Sequence, residues 1–526
     1  MKSALIAFAA TSLVCALSLP AAAKTPSFQR SSARSSKRRN TQTQRGASAI
    51  GLDADTPVVA SGPNTLFFTG SVRKLFSVGL ALDALGADHR FVTPVYRTRE
   101  VADGVLIGDI IIVASGDLTL GGRDLPNGTI AFTNFDHTES NALGSSILTE
   151  TDPLAGLKTL ARQIAAAGIK EIDGDVVIDD RLFDHFRVPN GNVLITPIIV
   201  NDNLIDVTIV PTETGKPAAV EWRPKSAAFT VTSEVGTVAA GEPSEVTLEI
   251  SPTDPAVGVV RGRIAIDYKP PLPGVPTLVQ TFAIPDPSAY ARTAFIEALE
   301  AEGVTVSATK VGPNPAENLP APGPYAADSK IAEFVSLPYS QYARLILKVS
   351  HNLGANMSLM LFGLTEGALT IDAALAAERK ILIDDYGLAD GDFLFPTNGS
   401  GSPDSQATPG GVTKLLQAMR DTPVFEPYFD AMPILGVDGS LATIGKDPPN
   451  PVIAPAIGHV YAKTGTTIAE GTLKSQVFAG YLDAKSGERL TYVVYVNNVS
   501  PIDSIADVIK VFGDEGEISA LLYGRY

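Results

Sequence analysis

Thr65-Leu66-Phe67-Phe68-Thr69-Gly70-Ser71-Val72-Arg73-Lys74-Leu75-Phe76 is the stretch on which the reading of this chain turns. A short apolar run ends at Thr69-Gly70. Beyond it Leu75, Val78, Leu82 and Leu85 follow at spacings of three, four and three, the periodicity of a helix face. Ser71 therefore stands where a helix begins, and Lys74 lies on the same face, because residues three apart are neighbours on a helix. A serine hydroxyl is a poor nucleophile until a base takes its proton. A lysine can be that base only where burial or a nearby cation lowers its pKa. Read alone, Ser71 is equally a helix N-cap, a position that serine favours. The same spacing recurs at Ser307-Ala308-Thr309-Lys310, but that pair follows the strand-like alternation Val304-Thr305-Val306, where positions three apart face opposite ways.

Towards the N-terminus, Met1-Lys2, the apolar run from Ala4 to Leu19 and the small residues Ala21-Ala22-Ala23 compose a secretory signal peptide over residues 1–23. The run is too short to span a membrane, and no later stretch of sufficient length is free of charges and turn residues. Residues 24–47 read as a basic disordered linker: Lys24, Arg30, Arg34, Lys37, Arg38, Arg39 and Arg45 stand among Ser, Thr and Gln with no acidic residue. Weak contact with an anionic surface is one use for it, and a solvated tether is the other. Cys15, the single cysteine, lies in the signal's apolar core without the small residue that precedes a lipidated cysteine, so the mature chain has no thiol for disulfides or metal. The histidines form no H-E-x-x-H or similar cluster, and neither metal nor cofactor is expected. A net charge of −16 argues against nucleic acid as a partner.

About 500 mature residues exceed what one hydrophobic core organises. Helical and strand patterns recur together at both ends of the chain: Leu345 to Gly363, Ile371 to Asp385, Ser475 to Leu482 and Leu490 to Asn497. Between them lie short β runs such as Leu106 to Val113 with helical stretches such as Leu154 to Ala167, and then alternating strands between Pro and Gly clusters. The expected organisation is a catalytic domain from residues 48–97 and 325–526. It is split by an α/β domain (98–204 and 286–324) that carries a β-rich module (205–285).

Two further motifs decide the chemistry. Ser350-His351-Asn352 is the only Ser-x-Asn in the chain, Lys463-Thr464-Gly465 its only Lys-Thr-Gly, and both follow Ser71-x-x-Lys74 in the order of the penicillin-recognising serine enzymes. The chain resembles the low-molecular-mass penicillin-binding proteins of the penicillin-binding protein 4 type, D-alanyl-D-alanine carboxypeptidases and endopeptidases. The likeness extends to Ser115-Gly116-Asp117-Leu118-Thr119-Leu120, Gly174 to Asp180, Asn201-Asp202-Asn203 and Leu435-Gly436-Val437-Asp438-Gly439-Ser440-Leu441. Roughly half the chain separates Lys74 from Ser350, which matches that family's nested extra domains.

The resemblance implies an α/β (α+β) fold with a transpeptidase/β-lactamase-like catalytic domain. It implies that Ser71 attacks the bond between two D-alanines of a peptidoglycan stem peptide while neutral Lys74 accepts its proton, and that β-lactams acylate the same serine. Ser350 relays a proton to the leaving amine, and Asn352 orients Lys74 and the substrate. Lys463 is the second cation, and with Thr464 and Thr466 around Gly465 it receives the terminal carboxylate. The main-chain N–H groups of Ser71 and Thr466 form the oxyanion hole. The implied location is the periplasm or another extracytoplasmic part of the cell envelope. His351 reads as structural.

Asn356 and Asn398 depart from the pattern, standing where Glu and Asp are usual, and remove negative charge near the expected site. Two other readings use the same residues: a β-lactamase or esterase, marked by fast deacylation of a β-lactam adduct, and a non-catalytic wall-binding protein. The long interval weighs against the first, and retention of Ser71, Lys74, Ser350, Asn352 and Lys463 against the second.

Overall fold

The computed structural model describes residues 42–272, 274–503 and 505–526; the expected signal peptide and most of the expected linker lie outside the described residues. Strand β1 (Gln44–Gly51) precedes a 3-10 turn, Gly70–Arg73, that runs directly into helix α1 (Lys74–Leu85). Strands β2 (Arg90–Arg97) and β3 (Ile110–Val113), helix α2 (Ala155–Ala166) and strand β4 (Val176–Asp179) follow. Then come β5 (Leu204–Val210), β6 (Leu278–Ala283), helix α3 (Pro287–Ala301) and β7 (Lys330–Pro338). Helices α4 (Tyr339–Val349), α5 (Asn352–Thr365), α6 (Ile371–Asp384) and α7 (Pro409–Arg420) lead to strands β8 (Val460–Ala469), β9 (Thr472–Asp483) and β10 (Arg489–Val499) and helix α8 (Ile505–Arg525).

The sheet that positions the site holds Val59–Ser61, β1, β10, β9 and β8 in that order, all antiparallel, with β8 at an edge. Side chains alternate across a strand. Val477, Ala479 and Tyr481 of β9 therefore join the core with α1, α4 and α5, while Phe478 and Leu482 join the core under α8. Arg45 pairs with Val496, so the expected linker gives its last four residues, 44–47, to the sheet, where they satisfy the main chain of β10.

A second sheet runs β7, β2, β3, β4, with β3 and β4 parallel. Pairing of β2 with β7 joins the two expected stretches of the catalytic domain, and pairing of β2 with β3 links that domain to the insertion through one sheet. The β-rich stretch has its own three-stranded sheets, yet Val231, Val260 and Ile264 share one apolar cluster with Leu160 of α2 and Phe295 of α3.

From Lys74 to Leu82 helix α1 is buried on every side, whereas the sequence spacing marks out only one apolar face: Phe76, Leu80 and Ala81 are as buried as Leu75, Val78 and Leu82. Its neighbour Arg73 is fully buried too. It pairs with Glu378 of α6 at 2.5 Å and stacks on Phe395, 4.0 Å to the ring centroid. Burial disfavours both charges, lowering the Arg73 pKa and raising that of Glu378. Glu378→Ala leaves a buried guanidinium without its anion beneath the Ser71 turn. It is expected to cost about 3–5 kcal/mol, read as a lower denaturant midpoint; an unchanged midpoint overturns the assignment.

Candidate active site

Three segments far apart in sequence meet at the edge of β8. Ser71 enters from the 3-10 turn, held close to the strand because two glycines face each other. Gly70, at φ +48°, could carry no side chain, since a Cβ there would lie 2.8 Å from Thr466 N and 2.9 Å from Gly465 C. Lys74 begins α1 one turn later, and its Nζ is 2.6 Å from Ser71 Oγ.

Ser350 comes from a break in helical structure. The sequence pattern suggests one helical stretch from Leu345 to Gly363, but α4 ends at Val349 and α5 restarts at Asn352. Ser350 lies between them in the left-handed region, at φ 63° and ψ 39°. His351 makes the restart possible: its Nδ1 accepts the Gly354 N–H at 2.9 Å, and its Nε2 meets Asp202 Oδ1 at 3.0 Å. His351 is thus a buried cap, in line with a structural role.

The break brings Ser350 Oγ between two lysine amino groups, 3.2 Å from Lys74 Nζ and 2.8 Å from Lys463 Nζ. Lys74 also donates to Asn352 Oδ1 at 2.7 Å. Ser71, Lys74, Ser350 and Lys463 are at most 1 % exposed. Burial brings Lys74 from 10.5 down to about 7, with Glu139 opposing the shift. Burial, and then the nearby Lys74, push Lys463 well below its ordinary value. A lysine with a sizeable neutral fraction near pH 7 and in contact with a serine hydroxyl can act as its base.

The two threonine hydroxyls each have a partner within the protein. Thr464 Oγ1 donates to Ser440 Oγ at 2.9 Å, and Thr466 Oγ1 donates to Gln476 Oε1 at 2.8 Å on the neighbouring strand. The Thr466 hydroxyl is thus bonded across the sheet, and its main-chain N lies against Gly70. Gly465 provides the close approach. Ser440 carries the hydroxyl next to Thr464.

The two departures are internal. Asn356 donates to Asn352 O and accepts from the Gly399 N–H, both at 2.8 Å. Asn398 Oδ1 accepts the N–H groups of Ser400 and Gly401, while its amide donates to Thr397 Oγ1 and Ser402 O. A carboxylate at position 398 has no N–H for those last two bonds. Both side chains are fully buried and brace the loop behind Ser71.

Sequence reading missed Glu139 and Asn190, which both touch Asn352. They arrive from the long insertion, and no local spacing marks them. The second Ser-x-x-Lys pair takes no part: Lys310 is bound to Glu300 on the surface.

A buried serine and lysine at a sheet edge, with a second serine and lysine completing the cluster, define a serine hydrolase of the penicillin-recognising fold. Residues 36–511 match the D-Ala-D-Ala carboxypeptidase 3 (S13) family, and the chain belongs to that family, as its motif order implied. It is 26% identical over 467 residues to a D-alanyl-D-alanine carboxypeptidase of Actinomadura sp. (strain R39), covering 83% of this chain and 75% of the relative. The fold is that of penicillin-binding protein 4 from Haemophilus influenzae, with TM-score 0.64 at 18% identity over 90% of this chain and 96% of that one. The same protein complexed with a novel β-lactam gives TM-score 0.65 at 19% identity, over 92% and 97%. The chain is a serine-type carboxypeptidase of this family. Among the described residues no helix is long and apolar enough to cross a membrane.

Proposed function

We propose that the enzyme removes the terminal D-alanine from peptidoglycan stem peptides through an ester on Ser71, and that β-lactams are trapped at the same atom. The observation that carries the reading is the 2.6 Å contact between Ser71 Oγ and a buried Lys74 whose pKa lies near 7. Ser71 Oγ attacks the carbonyl carbon of the penultimate D-alanine as its proton passes to Lys74. The Ser71 and Thr466 N–H groups receive the charge that develops on the carbonyl oxygen. The proton then moves through Ser350 to the departing amine, and the C–N bond breaks. Water attacks the ester, Lys74 takes its proton, and Ser71 is released.

Lys463 and the Thr464–Ser440 pair form the recognition site for the terminal carboxylate, since Ser440 has a hydroxyl proton to offer once Thr464 has donated its own. Asn352 holds Lys74 by its amide oxygen. The signal-like residues 1–23 support export to the cell envelope as the setting, and the family's nested insertions support cross-link cleavage as a second activity of the same serine.

The test combines fluorescent penicillin labelling, intact-mass analysis over time and D-alanine release from a muramyl pentapeptide, beside Ser71→Ala. A lasting adduct with D-alanine release, both lost in the variant, is the expected result. A rapidly cleared adduct without release identifies a β-lactamase instead. Neither label nor release from folded protein overturns the reading.

A further inference from the structure

Besides Asn190, the insertion reaches the catalytic centre through the short turn His137–Glu139, and that turn is pinned from several sides. Arg123 makes two bonds to Asp136, at 2.8 and 2.9 Å, and two to Asp202, at 3.0 and 2.7 Å. His137 lies between Asp206 Oδ1 at 2.6 Å and Asp202 Oδ2 at 2.7 Å. Upstream, Asn134 Oδ1 accepts the Gly439 N–H at 3.0 Å, and downstream Ser140 Oγ donates to Val279 O of β6 at 2.6 Å. A turn fixed in this way has one direction in which to place the next carboxyl. Glu139, 5 % exposed, accepts the Asn352 Nδ2–H at 3.0 Å.

That bond decides which end of the Asn352 amide faces the base. With the NH2 group donating to Glu139, the amide oxygen faces Lys74 Nζ at 2.7 Å and Asn190 Nδ2 at 3.3 Å. A flipped amide would point N–H groups at an ammonium and its oxygen at a carboxyl. We infer that Glu139 is a positioning residue for the reaction, fixing Asn352 with its oxygen towards Lys74 and setting, by its own proton, how readily Lys74 gives up its charge. The inference rests on Lys74 being the base, as proposed above.

The electrostatics are consistent with the geometry. Burial pushes the Glu139 carboxyl up to about 8, with Lys74 opposing and Asp136 adding to the rise, and it holds Lys74 at about 7. The two groups titrate in one range and oppose each other: an ionised Glu139 keeps Lys74 charged, and a protonated one lets it become neutral. The charged groups around them are accounted for. Lys463 faces both from β8, Asp136 shares the turn, and His137 with Arg123 is neutralised by Asp202 and Asp206 behind it. Arg187 stands across a cavity of about 290 Å³ that Glu139 and Asn352 also line. Arg73 points away, to Glu378.

The experiment compares the whole enzyme with Glu139→Ala and Glu139→Gln, following D-alanine release and penicillin acylation from pH 5 to 10. Glu139→Ala removes the acceptor for Asn352 and is expected to lower kcat about 10–100-fold with little change in KM. Glu139→Gln restores an acceptor oxygen and is expected to recover most of that loss. Its kcat/KM profile, however, should lack the fall that wild type shows as Glu139 ionises above about pH 8 and holds the proton on Lys74, because Gln cannot ionise. Limbs that coincide with wild type, or a Gln variant as impaired as the Ala variant, overturn the inference while leaving the Ser71 and Lys74 assignment standing. A wild type that forms no adduct and releases no D-alanine removes that assignment and the inference with it.

Discussion

Lys74→Met is expected to slow acylation of Ser71 by penicillin about 10⁴-fold, with D-alanine release falling in step, while the protein unfolds at the same temperature or higher. The rate loss follows from geometry. Lys74 Nζ is the basic group that touches Ser71 Oγ, at 2.6 Å, and Ser350 then connects it to Lys463. Methionine fills nearly the same space with nothing to accept a proton. The stability gain follows from burial. An amine whose pKa is drawn from 10.5 to about 7 by loss of water is an unfavourable tenant of the folded state, and a thioether there carries no desolvation penalty. Opposite movement of rate and stability separates a catalytic group from a structural one. Acylation within tenfold of wild type would assign the base elsewhere.

Gly465→Ala tests the other half of the site and is expected to lower kcat about 10²–10³-fold, the range for losing one oxyanion donor. A Cβ at Gly465 would lie 2.2 Å from Thr69 O and 3.0 Å from both Ser71 N and Val72 N. All three are main-chain atoms, so no side chain can swing aside. Strand β8 and the Ser71 turn must separate, which parts the Thr466 and Ser71 N–H groups. Penicillin acylation and peptide turnover should fall together, with circular dichroism unchanged; wild-type rates in the variant would mean that the two N–H groups do not act as a pair.

How far the sequence reveals this arrangement depends on the distance over which each feature is determined. Ser71 and Lys74 are legible because three residues of helix bring them together whatever the rest of the chain does. Ser350 and Asn352 are legible as a motif. The break that turns Ser350 toward both lysines is hidden, because His351 looks like any helix residue until Gly354 and Asp202 supply its partners. Glu139 is invisible for a stronger reason. Its partner Asn352 is 213 residues away, and its approach depends on the whole buried charge cluster around Arg123. At Thr466 alternation along a strand is readable, but the presence of Gln476 directly across the sheet is not. That one sheet links the catalytic domain to the insertion is hidden as well, because short strands such as β2 and β3 carry their pairing in backbone bonds that composition does not record.

The pairing of β1 with β10 has a bearing on biogenesis. Ribosomes deliver the N-terminus first, at about 5–20 residues per second. Gln44 finds its register partner, Asn497, only after nearly all the described chain has been made. Until then β1 has no neighbour in that register, Lys463 is absent, and the turn bearing Ser71 has no strand to lean on. A translating or truncated chain therefore holds its serine without a completed site, so the protein stays chemically silent toward cell-wall peptides until it is whole.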